Sequence, residues 1–458
     1  MSKVRNCLFL GISVLALGML GGCGKNTDDK VVLRIASSEE YIDEGGWDAD
    51  EAIELDDATI FGENSMVEDF EKWYKETYGV EVEVEYSTFG TNEELYNQMN
   101  LGNVFDLVCP SEYMIMKLMD EGRLQPLSDS FYDSSDQNNY YTNGVSPYIE
   151  ETFENLTHKG ESISKYAACY MWGTMGIVYN PQVLSEEDVA HWSVLLNKDY
   201  YKRVTMKDSV RDSFFVAQCI ANEEKVMTND YLNDPNYYDN LSELQNDTSQ
   251  EAVDRAESIL SDMRKNAYSL ETDSGKADMI TGKVVANMQW SGDAVYTMDQ
   301  AEEDGFQLNY SVPEECTNLW FDGWVMMKNG IEEDSRKQQA AEAFINFVSK
   351  PENAIRNMNY IGYTSGISGG DSDLIKEYVE WLYGAEEGED TTEYDLSYFF
   401  GDDYSLTCSV EQTERQLFAQ YPTEDVIGRA VVMRFFDEDA NKRIMQMWTN
   451  IRCFDLGF

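Results

Sequence analysis

Strand and helix patterns alternate between Val31 and Cys109, and this alternation restricts the possible folds more than any other feature of the chain. Val31 to Ala36 is an apolar run of strand length. Ser65 followed by Glu68 makes a capping box. Met66, Phe70, Trp73, Tyr74 and Thr77 then recur at helical spacing until Gly79 stops the helix. Val80, Val82, Val84 and Tyr86 alternate with Glu81, Glu83 and Glu85, the pattern of a half-buried strand. Thr91 with Glu94 caps a second helix bearing Leu95 and Met99, and Phe105 to Cys109 is a third strand closed by Pro110. Strand, helix, strand, helix, strand at this spacing predicts an α/β lobe with a largely parallel sheet.

The remaining sequence calls for a second lobe. A chain of 458 residues exceeds what one ordinary core accommodates. Residues 43–64 are acidic and poorly periodic, so they are expected as an inserted loop. YMWGTMGIVYN (170–180) returns to strand character, where the chain is expected to cross between lobes. Helices are predicted at 211–222, 250–265 and 335–349, the last broken by Pro351, with strands near 284–290 and 325–329. Residues 384–404, acidic and Gly-rich, read as a surface insertion.

At the N-terminus, Lys3 and Arg5 precede an apolar run from Cys7 to Leu20, which is shorter than the roughly 20 residues of a membrane span. Leu20-Gly21-Gly22-Cys23 follows, and this segment resembles a bacterial lipoprotein signal. The expectation is a signal peptide over 1–22, a lipid on Cys23 and a tether over 23–30. The protein would then be exported and lipid-anchored to the outer face of the cytoplasmic membrane, at the cell surface or in the periplasm.

A formal charge of −52 repels nucleic acid and excludes it as a partner. Cys109, Cys169, Cys219, Cys316, Cys408 and Cys453 are widely spaced without a C-x-x-C pair, which suits buried free thiols as well as disulfides. That spacing, with only His158 and His191 as histidines, argues against a zinc site. No G-x-S-x-G, H-E-x-x-H or P-loop pattern occurs, so neither enzyme chemistry nor a cofactor is expected.

Eight segments, taken in order, resemble the spermidine/putrescine-binding proteins of bacterial polyamine ABC importers. They are SSEEY (37–41), EYSTFGTNEELYNQM (85–99), FDLVCPSEYMIMKLMDEGRLQPL (105–127), YMWGTMGIVYN (170–180), KDSVRDSF (207–214), MQWSGDA (288–294), LWFDGW (319–324) and NYIGYTS (359–365). The resemblance implies a two-lobed periplasmic-binding-protein fold, type II-like, with mostly parallel sheets, flanking helices and the ligand between the lobes. Lobe 1 would take 31–170 and 318–367, and lobe 2 would take 171–317 and 368–458. The implied protein is a monomer that captures putrescine or spermidine and delivers it to ABC importer permease subunits; an oligosaccharide or another small solute is the alternative ligand.

The resemblance also implies a site. Glu40 and Tyr41 stand at one end, Ser111 and Tyr113 follow the third strand, and Trp290 and Trp320 are aromatic walls. Asp322 would meet an ammonium, Asp212 stands where the family has a glutamate, and Tyr363 closes the pocket. Ser38 replaces a family tryptophan and Glu39 a threonine. Ser209 replaces a middle carboxylate, with Asp208 adjacent, and a late glutamine falls on Phe435.

Overall fold

The computed structural model describes residues 30–272, 274–401 and 403–453; the expected signal, Cys23 and nearly all of the tether lie outside them. The first strand, β1 (Lys30–Ser38), is followed by α1 (Met66–Tyr78), β2 (Glu81–Phe89), α2 (Asn92–Asn100), β3 (Leu107–Val108) and α3 (Glu112–Asp120). Local chemistry sets these boundaries. The Ser65 hydroxyl accepts from the Glu68 N–H while the Ser65 N–H donates to the Glu68 carboxylate at 3.0 Å, so both sides of the capping box form. Gly79 ends α1 at φ 71°, a left-handed conformation that costs glycine little.

The chain then runs through β4 (Ala167–Tyr179), β5 (Val204–Lys207), α4 (Val210–Val226), α5 (Gln250–Asn266), β6 (Leu270–Glu271), β7 (Ala286–Trp290), α6 (Ser291–Glu303) and β8 (Thr317–Met327). After these come α7 (Ser335–Val348), α8 (Pro351–Ile361), β9 (Thr391–Asp395), β10 (Ser405–Ser409), β11 (Ala430–Val432) and α9 (Glu438–Cys453). Pro351 therefore does more than stop a helix. It opens the next one, at the position where its missing N–H is harmless. The predicted 325–329 strand is the tail of the longer β8.

One continuous sheet has the order β6-β5-β7-β4-β8-β3-β1-β2. β1 pairs parallel with β2 and β3, and β5 pairs parallel with β6 and β7. Between these two parallel groups, β4 and β8 run antiparallel to each other and cross from one lobe to the other. Every residue of β4 is buried, as a strand covered on both faces requires. Its Ala167–Trp172 half joins a core with Leu33, Ile35, Leu107 and Phe344, while Met175, Ile177 and Tyr179 join another with Met206, Phe214, Leu260 and Trp448. A smaller core under α6 holds Met298 and Tyr310. The fold is the two-lobed α/β type, with its lobes joined by crossing strands.

Packing departs from expectation after Ile367. The expected lobe 2 segment 368–458 divides: Leu374, Tyr378, Leu396, Phe399 and Cys408 enter the first core, and only the stretch from Val431 to Ile451 supplies the second. Residues 384–404 are not a plain surface insertion, because β9 pairs with β10 and buries Tyr394 against that first core. The acidic 43–64 segment is also anchored. Asp43, fully buried, accepts from Arg356 Nε at 2.9 Å and from Trp47 Nε1 at 2.9 Å, and Ile53 and Ile60 are buried behind it.

All six cysteines of the described residues are free thiols, five of them buried and Cys453 exposed. Among the described residues no helix is long and apolar enough to cross a membrane.

Candidate functional site

Parallel strands direct their carboxyl ends, and the helix N-termini that follow, toward one seam, the usual place for a ligand in open α/β sheets. Tyr41 lies just past β1, Ser111 caps α3 just past β3, Asp212 is in the first turn of α4 just past β5, and Trp290 ends β7. β8 adds Asp322 at a register shift between Asp322 and Gly323. Such a bulge re-aims a side chain, and here it sets Asp322 in an antiparallel bridge with Ser111.

Asp322 is the centre of the first-lobe end. Its Oδ2 accepts from the Tyr41 hydroxyl at 2.6 Å and its Oδ1 from the Ser111 hydroxyl at 2.7 Å. Asn92 holds Ser111 in turn, donating to its hydroxyl at 2.9 Å and accepting from its N–H at 3.1 Å. Burial pushes the Asp322 carboxyl above its ordinary range, and the two hydroxyl bonds only partly offset this. Among the described residues no cation pairs with it. Directly behind, buried Glu112 accepts from the Phe321 N–H at 3.0 Å, and burial raises its carboxyl to about 8.

Aromatic rings surround this carboxylate. Tyr41 meets Tyr363 edge-on at 5.9 Å, and Tyr363 meets Trp320 edge-on at 5.1 Å. The Trp320 indole donates to the Thr174 carbonyl at 3.3 Å, which fixes the ring. Burial, and after it the nearby Asp293 charge from the other lobe, push the Tyr363 hydroxyl well above its ordinary range. A Cβ on Gly292 would lie 2.0 Å from the Tyr363 ring, so this glycine permits the close approach of the lobes.

The second-lobe end is built differently. Asp212 is buried, and that burial raises its carboxyl, an effect that Ser209, the Lys207 charge and the Trp290 indole only partly offset. Lys207 stands 4.3 Å over the Trp290 ring. Tyr113 packs against both main cores, donates to Glu93 at 3.2 Å and lies under the Arg211 guanidinium at 4.3 Å.

Of the residues expected in the site, Tyr41, Ser111, Asp322, Trp320 and Tyr363 form one contact network, while Asp212 in the first turn of α4 and Trp290 at the end of β7 stand on the second lobe. Glu40 is exposed at the turn, at φ 53°, and its neighbour Tyr41 is the residue that reaches Asp322. Sequence reasoning missed Asn92, Glu112, Lys207, Arg211 and Asp293. All five sit inside the segments that carried the resemblance, and all but Asn92 lie within five positions of a residue expected in the site.

Two other features lie apart from the seam. A cavity lined by Met99, Phe105, Arg123 and Lys328 opens at the amino ends of the first-lobe parallel strands, the end that ligands avoid in such sheets. His191, Glu223 and Glu315 come together on the second lobe, where the His191 Nδ1 to Glu315 Oε2 bond of 3.0 Å accounts for them.

The bacterial extracellular solute-binding protein family matches this chain over residues 65–380. The spermidine/putrescine-binding periplasmic protein of Salmonella typhimurium (strain LT2) is 24% identical over 295 residues, 64% of this chain and 72% of that one. The putrescine-binding periplasmic protein PotF of Escherichia coli (strain K12) is 26% identical over 294 residues, 62% of this chain and 71% of that one. Among solved structures, the spermidine/putrescine ABC transporter substrate-binding protein PotD of Streptococcus pneumoniae superposes with a TM-score of 0.59 at 23% identity, over 93% of this chain and 99% of that one.

Proposed function

The chain belongs to the bacterial extracellular solute-binding proteins, and from that premise we propose that it captures a polyamine, putrescine or spermidine, and delivers it to an ABC importer. One observation carries the reading: Asp322 is a half-buried carboxylate with hydroxyl partners only, enclosed by Tyr41, Tyr363 and Trp320. An alkyl polyamine consists of ammonium groups on an apolar stem. It would give Asp322 the cation it lacks and lay its methylenes along the rings. A charge-assisted hydrogen bond contributes roughly 1.5–3 kcal/mol, an ammonium over a ring roughly 0.5–2 and each buried methylene about 0.8. After ordering costs such terms reach the about −8 kcal/mol of micromolar binding. The names of the relatives support the same ligand class.

The protein carries its ligand without converting it and acts as a monomer that closes on it between the lobes. Titration calorimetry of the purified exported part tests the reading: heat with putrescine or spermidine is expected. Heat with a maltodextrin and none with any polyamine overturns it in favour of the oligosaccharide alternative.

The lipid anchor on Cys23 is part of the same proposal, supported by the Leu20-Gly21-Gly22-Cys23 segment. Cys23→Ser should leave the protein unlipidated and released from the membrane fraction. Processing and membrane retention equal to wild type would remove the anchor from the proposal.

A further inference from the structure

Lys207 ends β5 with 1% of its side chain exposed. Its ammonium stands 4.3 Å over the Trp290 ring, 3.3 Å from the buried Glu271 carboxylate and 3.7 Å from Asp293, and it donates to the Thr272 carbonyl at 2.9 Å. Lys276 takes the other oxygen of Asp293 at 3.2 Å. Lysine is almost never buried this deeply unless paired, and these partners are what hold its charge there. Trp290 therefore has a resident cation against its ring, and the acids beside that cation already have lysine partners from their own lobe.

The neighbouring positions offer a further amine no carboxylate that lacks a cation of its own. Ser209 is neutral and caps α4, accepting from the Asp212 N–H at 3.4 Å. Asp208 is ion-paired through Oδ2 with Arg452 at 3.0 Å, its Oδ1 having no hydrogen-bond partner among the described residues. A second ammonium brought to this stretch would face Lys207 without an unpaired carboxylate to receive it. Among the described residues neither Asp322 on the first lobe nor Asp212 on the second makes an ion pair with a lysine, although the Lys207 charge reaches Asp212.

We propose that Lys207 is a specificity-determining residue, a tethered cation beside Trp290 that fixes the number of charges the ligand carries. The site then takes a short alkyl diamine, whose ammonium groups go to Asp322 and Asp212 and whose hydrocarbon stem passes Trp290. A triamine is rejected because its middle ammonium meets a positive charge. This rests on the polyamine reading above and narrows it to one class.

Calorimetric titration with putrescine, 1,5-diaminopentane and spermidine tests it on wild type, Lys207→Met and the double variant Lys207→Met/Glu271→Gln. The double variant avoids stranding the buried Glu271 carboxylate, and thermal melts confirm folding. Wild type should bind putrescine at least tenfold tighter than spermidine. In the double variant that ratio should fall at least tenfold, and Lys198→Met on the exposed surface should leave it unchanged. A wild-type preference for spermidine, or a ratio unmoved by both Lys207 variants, overturns the proposal while leaving a polyamine carrier. Heat with none of the three amines in wild type overturns the polyamine reading, and the proposal with it.

Discussion

The two ends of the seam handle buried negative charge in opposite ways. On the first lobe, Asp322 is held by two hydroxyls. On the second, Asp293 and Glu271 are held by Lys207 and Lys276. A carboxylate matched by its own lobe contributes to the fold whether or not a ligand is present. A carboxylate that meets only neutral donors keeps an unfavourable desolvation cost, which a ligand cation relieves. The difference separates acids that build the lobe, such as Glu271 and Asp293, from acids such as Asp322 that are available to bind.

Removing the unmatched charge breaks the comparison most directly. Asp322→Asn keeps the shape of the group and can still bond the two hydroxyls, but it offers an ammonium no net charge. Affinity for putrescine should fall at least tenfold, about 1.4 kcal/mol or more, with little loss of thermal stability. Equal affinity in calorimetry would mean that the cation is received elsewhere.

How much of this was legible in the sequence follows from how far apart the interacting residues lie. The Ser65–Glu68 box, the Gly79 stop and the Val82/Glu83 alternation act over a few residues, and the structure has them as read. Tyr41, Ser111 and Asp322 were found through the resemblance, and their meeting spans 281 and 211 positions of sequence. Lys207 lies in the KDSVRDSF segment, but no local pattern marks it, because its partner Trp290 arrives only when β5 pairs with β7. The return of 374–408 to the first core was equally hidden. Its apolar residues, Leu374, Tyr378, Leu396 and Phe399, fit either core, and nothing local says which one receives them. The crossing strands were legible as strands, but the bulge that aims Asp322 depends on β4–β8 register, which no short motif encodes.

Glu112 sharpens the comparison, because it decides whether the Asp322 end holds one negative charge or two. Its carboxyl, raised by burial from 4.5 to about 8, stays neutral at pH 7 in the folded protein and ionises in the unfolded chain. The folded state therefore binds more protons between those values. The Glu112 contribution to stability is full below about 4.5 and is lost as pH rises toward about 8. Glu112→Gln should remove that share, flattening the stability profile in this window by up to roughly 1.4 kcal/mol per pH unit. Denaturant melts across the window check it, and a profile as steep as wild type would show that Glu112 is charged at both ends of the range.

The smallest effect is expected from acids that belong to neither end. A net charge of −52 draws any polyamine toward the protein, so a general acidic field competes with a built site as the source of affinity. Glu81 and Glu83 lie exposed on β2, bridged to Lys75 and Lys30 at 2.7 and 2.6 Å. Exposed pairs of this kind contribute about 0–1 kcal/mol and are screened by salt. Glu81→Gln and Glu83→Gln should therefore leave putrescine affinity within twofold of wild type at physiological salt, while Asp322→Asn loses tenfold in the same buffer. The two explanations also differ in salt dependence. Attraction by the surface as a whole weakens steeply as ionic strength rises, because the Debye length falls from about 10 Å at 0.1 M to about 3 Å at 1 M. A buried contact at Asp322 is screened far less. If the surface variants weaken binding as much as Asp322→Asn, or if the Asp322→Asn deficit vanishes at 1 M salt, then the matched and unmatched carboxylates do not differ in function, and the affinity belongs to the acidic surface.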